Sequence, residues 1–402
     1  MADALAYLRS AAAVRERAHR LLSAAERDEL AHFAVDGTRM APLADYVIET
    51  IRARYPKLDV PYHSRWRHFE AGGVDRWAEL RARLTGADEI ARARFDIVIP
   101  SVLLDAGAGP SWSYRDRDGG VHARSEGLGV ASLRMFADGL FSADPEHPLR
   151  ADAARLEALE DLELAQGFQA GPDNLLTGLP GRADLMRRLG AAVRAKPEFF
   201  PGGRVGGLFD TIQNRTKGGA IAAPAILELV LEALGPIWPG RIELDGVNLG
   251  DVWRHRAMRT GDATDGLVPF HKLSQWLTYS LVEPLEEAGT DVRDLDGLTG
   301  LAEYRNGGLF IDGGVLRFKD EKAALRSHAV DSELVVEWRA LTVALLDRVA
   351  DAILTKLKLD AESLPLAKVL EGGTWTAGRR LAAEKRAGGA PPVRIVSDGT
   401  VF

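Results

Sequence analysis

Apolar positions recur at helical spacing along most of this chain, and short loops interrupt them. In PLADYVIETIRARYP, Pro42 suits a first helical turn and Pro56 ends the helix. The stretches RADAARLEALEDLELAQGF, GRADLMRRLGAAVRAKPEFF and PAILELVLEALGPIWPG read the same way. SELVVEWRALTVALLDRVADAILTKL predicts a long helix with Ser332 near its cap, and the opening MADALAYLRSAAAVRERAHRLL reads as an amphipathic helix. In VPFHKLSQWLTYSL, Val268 to Leu281, helical spacing puts Leu273, Leu277 and Leu281 towards a core. His271, Gln275 and Thr278 fall on one neighbouring face, and Lys272, Trp276 and Tyr279 on another.

Extended elements are few. YRDRDGGVHARSE predicts a hairpin turning at Asp-Gly-Gly, LFIDGGVLRFKD a second, and RIELDGVNLGDVWRH a short extended element. PPVRIVSDGTVF is strand-like. The apolar run in FDIVIPSVLLDAGAGPSWSY is a buried strand or a buried helix, and periodicity does not separate the two. The pattern as a whole predicts a mainly α fold with a few short strands and hairpins. It reads as one compact unit, with a helical part over about residues 1–95 and a catalytic core over about residues 96–402.

Composition narrows the chemistry. Lys plus Arg number 51 against 58 Asp plus Glu, a net charge of -7, which argues against a nucleic-acid or anionic-membrane partner. No apolar run has the length and freedom from charge of a membrane span. With no cysteine in the chain, thiol nucleophiles, disulfides, thiolate-held clusters and cysteine-bound zinc are excluded, and a cytoplasmic setting fits. DAGAGPSW lacks the third glycine of a dinucleotide loop, and no Gly-Lys-Ser/Thr phosphate loop, His-Glu-x-x-His or Gly-x-Ser-x-Gly occurs. Carboxylate chemistry remains.

Three places combine carboxylates with a constrained backbone. Asp105 ends an apolar run just before two glycines, where it is either a cap or a site, with Trp112 and Tyr114 nearby in sequence. In DGLTGLAEYRNGGLFIDGG, Glu303, Tyr304, Arg305 and Asn306 form a polar row between Leu-rich sequence and a Gly-Gly turn, and Asp312 precedes a second Gly-Gly. A Glu303–Arg305 salt bridge is the plainer explanation of that row. The third place is the polar face carrying His271, Lys272, Gln275 and Trp276. VVEWRALTVALL and LEGGTWTAGRR add Glu337, Arg339, Glu371, Trp375 and Arg379 to the set of polar groups in apolar surroundings.

The strings SVLLDAGAGPSWSYR, RSEGLGVASLRMF, VPFHKLSQWLTYSLVEPLEEAG, LTGLAEYRNGGLFIDGGVL, VVEWRALTVALLD, LEGGTWTAGR and SDGTVF together resemble the URC-four (Urg-three-like) family. That resemblance spans nearly the whole chain. It implies a place in uracil catabolism, a route understood to run through a uridine nucleotide and a ribosylurea-type intermediate to urea. In addition, LAEYRNGG is similar to the Ala-Asp-Tyr-Arg segment of queuosine-nucleotide N-glycosidases, whose fold is related to helical DNA glycosylases. Glu303 stands where that segment has Asp, one methylene longer, and Tyr304 and Arg305 match directly.

These resemblances imply a small nucleoside- or nucleotide-like substrate and a hydrolase that cleaves the N-glycosidic bond of ribosylurea or its 5′-phosphate. Such cleavage needs a carboxylate beside the anomeric carbon. Glu303 is the candidate for that role. Asp105, the other candidate catalytic carboxylate, or Asp312 would hold the ribose hydroxyls. Arg305 and Lys272 are candidates for a phosphate, Trp112 or Trp276 for stacking, and His271 and Gln275 for amide edges. Neither metal nor cofactor is required by the scheme. Two other classes fit the same sequence: an amide or ring-opening hydrolase acting on a uracil-derived nucleotide, and a non-catalytic pathway partner.

Overall fold

A computed structural model describes residues 2–238 and 241–396. They are mainly α-helical, and the strands among them pair only two by two. The chain forms two compact units. One is drawn from Met1–His63, Gly240–Gln275 and Asp294–Ser397, and the other from Ser64–Pro239 and Trp276–Arg293. No helix among the described residues is long and apolar enough to cross a membrane. Ser397–Phe402, the end of the strand-like PPVRIVSDGTVF, lies outside the described residues.

The first unit is built on the helix Glu333–Leu357. Its first half is buried on every side, including Glu337 and Arg339, and it packs against the helices Ala11–Glu26 and Met40–Arg54. Both buried charges have partners. Glu337 Oε1 accepts from the amides of His32 (3.1 Å) and Phe33 (2.8 Å), and Arg339 grips both oxygens of Asp251 at 2.7 and 2.8 Å. The short helix Tyr304–Asp312 packs between Glu333–Leu357 and Trp375–Lys385. A side chain at Gly378 would run into the carbonyl of Arg305, so glycine is what lets those two helices close up.

In the second unit the helices Ala87–Leu103, Arg124–Ala137, Leu179–Ala195 and Gly207–Arg215 carry the core. The ambiguous apolar run is helix. Residues 93–103 are buried on all faces, which erases the one-sided periodicity that would have marked it. The hairpin at Asp-Gly-Gly is present as antiparallel Ser113–Arg115 and Val121–Ala123.

Several sequence expectations need correction. The opening segment is two helices, Ala2–Leu8 and Ala11–Glu26, because the Ser10 side chain caps the second by accepting from the Ala13 amide. LFIDGGVLRFKD is no hairpin. Its first half ends the helix Tyr304–Asp312, and Leu316–Phe318 pairs with the distant Phe33–Val35. The helix expected from Val268 begins at Lys272, since Leu267–Pro269 pairs with Val252–Arg254. Asp251 makes the switch. Its carbonyl accepts from the amides of Phe270 (2.9 Å) and His271 (3.4 Å), and its Oδ2 accepts from that of Lys272 (3.0 Å). Of the three leucines expected in the core, Leu277 and Leu281 are buried and Leu273 is half-buried.

Candidate active site

Glu303 is the N-cap of the helix Tyr304–Asp312, and its carboxylate accepts from the backbone amides of Arg305 (2.7 Å) and Asn306 (2.5 Å). Arg305 therefore meets Glu303 through its amide. Its guanidinium donates to the Gly389 carbonyl at 2.8 Å and lies 4.8 Å from the centroid of the Tyr304 ring. Glutamate is not a favoured cap; Asp, Asn, Ser and Thr reach the amides with shorter side chains. Burial pushes the Glu303 carboxyl above its ordinary value, against the pull of the two amides and of the positive fields of Lys272 and His63. The residue is half-buried, as is Lys272.

His63 is buried, and its Nδ1 stands 2.8 Å from Glu371 Oε2. Arg54 Nη1 donates to the other oxygen of Glu371 at 3.3 Å. Glu371 lies on one π-helical turn, Val369–Thr374, that joins two α-helical pieces. Such turns are rare and recur at functional sites. At Gly372 a side chain would meet Val60 at 2.8 Å, so the wide turn rests directly on the chain leading to His63. The Trp375 ring lies 6.1 Å from that of His63, and Arg379 covers Trp375 at 4.8 Å. The first unit thus places a capping carboxylate with a raised pKa within electrostatic reach of a lysine and of a carboxylate-oriented imidazole.

The other sequence candidates have defined places. His271, at a φ of 47°, holds the Leu8 carbonyl through Nε2 at 2.7 Å, and burial lowers its pKa. Gln275 is stitched to Thr299: Oε1 accepts from its amide at 2.8 Å and Nε2 donates to its hydroxyl at 2.7 Å. Asp312 is gripped by both terminal nitrogens of Arg386, at 2.7 and 2.5 Å. Asn306 donates to the Leu301 carbonyl at 3.3 Å, and its buried Oδ1 has no donor among the described residues. In the second unit, Trp276 packs near His68 and Arg65. Trp112 donates to the Phe168 carbonyl at 3.0 Å, and Asp105 Oδ1 lies 3.0 Å from Arg65 Nη1. Glu303, Tyr304, Arg305, Asn306, Asp312, His271, Lys272 and Gln275 belong to the first unit, and Asp105, Trp112 and Trp276 to the second.

Sequence reasoning noted Glu371 among the polar groups but gave neither it nor His63 a role in the site. The signals were there, a histidine in an aromatic loop and a Glu-Gly-Gly before a tryptophan, but 308 positions separate the pair. It also missed His32 and Glu333, which with the already noted Glu337 bring ligand-type atoms within 4.8 Å of one another. That group has its own partners. Arg256 Nε is 2.7 Å from Glu333, and Glu337 holds two amides and faces His255 Nε2 at 3.3 Å. A guanidinium at a ligand oxygen makes this a charge-balanced network on the long helix.

Fold and site thus define a mainly helical protein with a paired carboxylate–histidine centre. The chain belongs to the family described as "Protein of unknown function (DUF1688)", which matches residues 7–402. It is 40% identical over 413 residues to Protein urg3 of Schizosaccharomyces pombe, covering 100% of this chain and 99% of that one. It is 35% identical over 436 residues to Uracil catabolism protein 4 of Lachancea kluyveri, covering 99% of each. The resemblance read from the sequence strings is borne out across the full length.

Proposed function

We propose that this protein acts in uracil catabolism, as the name of its Lachancea kluyveri relative describes for that protein, and that it is an N-glycosidase-type hydrolase. The substrate is ribosylurea or its 5′-phosphate. The observation that carries the reading is Glu303, a half-buried carboxylate with a raised pKa, aimed by two backbone amides and accompanied by Lys272 and His63. A carboxyl moved towards neutrality by burial is suited to proton transfer.

In this reading, the bond from the anomeric carbon to the urea nitrogen breaks through an oxocarbenium-like state, which the Glu303 carboxylate stabilises. Water attacks the anomeric carbon and gives its proton to Glu303. The leaving nitrogen takes a proton from His63, whose ring Glu371 holds in orientation. Urea and ribose, or ribose 5-phosphate, leave. Lys272 offers a point charge to a phosphate, and Trp375 a flat face to the planar urea.

The test is to incubate the purified protein with ribosylurea and with its 5′-phosphate and to identify products by mass. Urea together with the free sugar is expected. Absence of urea from both substrates, or undiminished release by Glu303→Gln, sinks the assignment.

A further inference from the structure

The second unit buries two guanidinium groups beside one carboxylate, at the turn that follows the helix Ala87–Leu103. The Arg65 side chain is 0% exposed, and Arg182 is 2% exposed. Arg65 donates through Nε to Ser101 Oγ at 2.7 Å and through Nη1 to the Ser125 carbonyl at 3.2 Å, and Nη1 also meets His68 Nδ1 at 3.0 Å. Arg182 donates through Nη2 to the carbonyls of Ala106 (3.0 Å) and Gly107 (3.1 Å). Three nitrogens remain: Arg65 Nη2, Arg182 Nε and Arg182 Nη1, each buried and with no acceptor among the described residues.

Charge is unbalanced as well. Burial lowers the pKa of both arginines, that of Arg182 to about 10, and each guanidinium looks to Asp105 for compensation, with Glu126 adding to the field on Arg65 alone. Arg182 draws compensation from Asp105, which it shares with an Arg65 that repels it. A buried charge without full pairing costs several kcal/mol, and apolar side chains of similar volume would make a cheaper core. The guanidinium fork matches an oxyanion, which takes several N–H donors at once. The turn is also open to solvent. Gly107 is exposed, and a side chain built on it would meet nothing within 4 Å.

We infer that Arg65, Arg182 and the turn from Asp105 to Gly109 form a binding site for the oxyanion of a small molecule, a phosphate ester or a carboxylate. This site lies wholly within the second unit and stands or falls independently of the reading of Glu303.

The experiment follows backbone hydrogen exchange in the full chain with inorganic phosphate, with acetate, and with chloride at equal ionic strength. Exchange across Asp105–Trp112 is expected to slow with phosphate or acetate and not with chloride. A response to phosphate alone marks a phosphate ester site, and one to acetate alone a carboxylate site. Arg182→Met is expected to weaken the responding anion about tenfold or more. No slowing in that stretch with either anion overturns the inference, as does equal slowing in a folded Arg182→Met protein. Should that variant not fold, the wild-type exchange pattern decides alone.

Discussion

His63 Nδ1 and Glu371 Oε2 lie 2.8 Å apart although the two residues are 308 positions distant in the chain. A carboxylate on one imidazole nitrogen sets which tautomer and which ring face the other nitrogen presents. In the proposed reaction Glu371 is therefore a positioning residue. Glu371→Gln is expected to lower kcat for urea release about tenfold or more while changing KM little, because the lost contact matters only when a proton moves. A rise in KM with kcat unchanged would instead place Glu371 in substrate binding.

Glu303 caps a helix, and the proposed reaction gives it a second, separable job in the chemistry. Glu303→Asp is expected to keep the cap, with stability within about 1 kcal/mol of the parent, because aspartate is a favoured N-cap. The same change draws the carboxylate back by one methylene and is expected to cut kcat about 100-fold. Glu303→Gln should cost at least as much activity. Guanidinium denaturation of one aliquot and urea-release assay of another check this; a Glu303→Asp protein with parental kcat removes Glu303 from the chemistry.

Two carboxyls of the first unit respond to pH in opposite senses. For Asp251, burial alone would raise the pKa, but the charge and hydrogen bonds of Arg339, with the Trp253 indole, hold it well below the usual carboxylate range. Its stabilisation is complete above the unfolded value of about 3.9 and is lost as pH falls below that. For Glu303, burial raises the folded value, so its contribution is greatest below about pH 4.3 and is lost as pH rises through the raised value. Asp251→Asn is expected to cost about 3–5 kcal/mol at neutral pH and to flatten the acid side of the stability profile. Glu303→Gln should remove the opposing slope. Denaturation midpoints between about pH 2 and pH 7 check both, on the order of one measurement per pH unit.

Gln275 is expected to act on stability alone. Its amide satisfies the backbone and hydroxyl of Thr299 and the Phe270 carbonyl, all in buried surroundings. Gln275→Leu strands these groups and should cost about 2–3 kcal/mol, leaving KM for ribosylurea near the parent value. A large KM change without loss of stability would return Gln275 to the substrate-binding set.

Helix positions were legible where a one-sided pattern coincides with clear end signals. Met40–Arg54 and Leu179–Ala195 follow from their own spacing and their flanking prolines and glycines. The helix Ala87–Leu103 was not, because burial of residues 93–103 on every face leaves no period to read there. The start of Lys272–Glu287 was misplaced because Asp251, a residue far back in the chain, ends one element and begins the next. At the candidate site, Glu303 was visible as a carboxylate beside special backbone. Its capping role, the field of His63 on it and the pairing of His63 with Glu371 were not.

The sequence by itself determined the mainly helical class, the family and the carboxylates worth asking about, because periodicity, glycine placement and long unusual strings are local properties. Only the tertiary structure decided which polar groups have partners. His271, Gln275 and Asp312 are bound to Leu8, Thr299 and Arg386, while Arg65 and Arg182 retain buried donors with no acceptor among the described residues. The physical reason is that a buried hydrogen bond or ion pair is a through-space contact between residues that the chain keeps far apart. Residue type states what a side chain can bond, and the packed fold alone states what it meets.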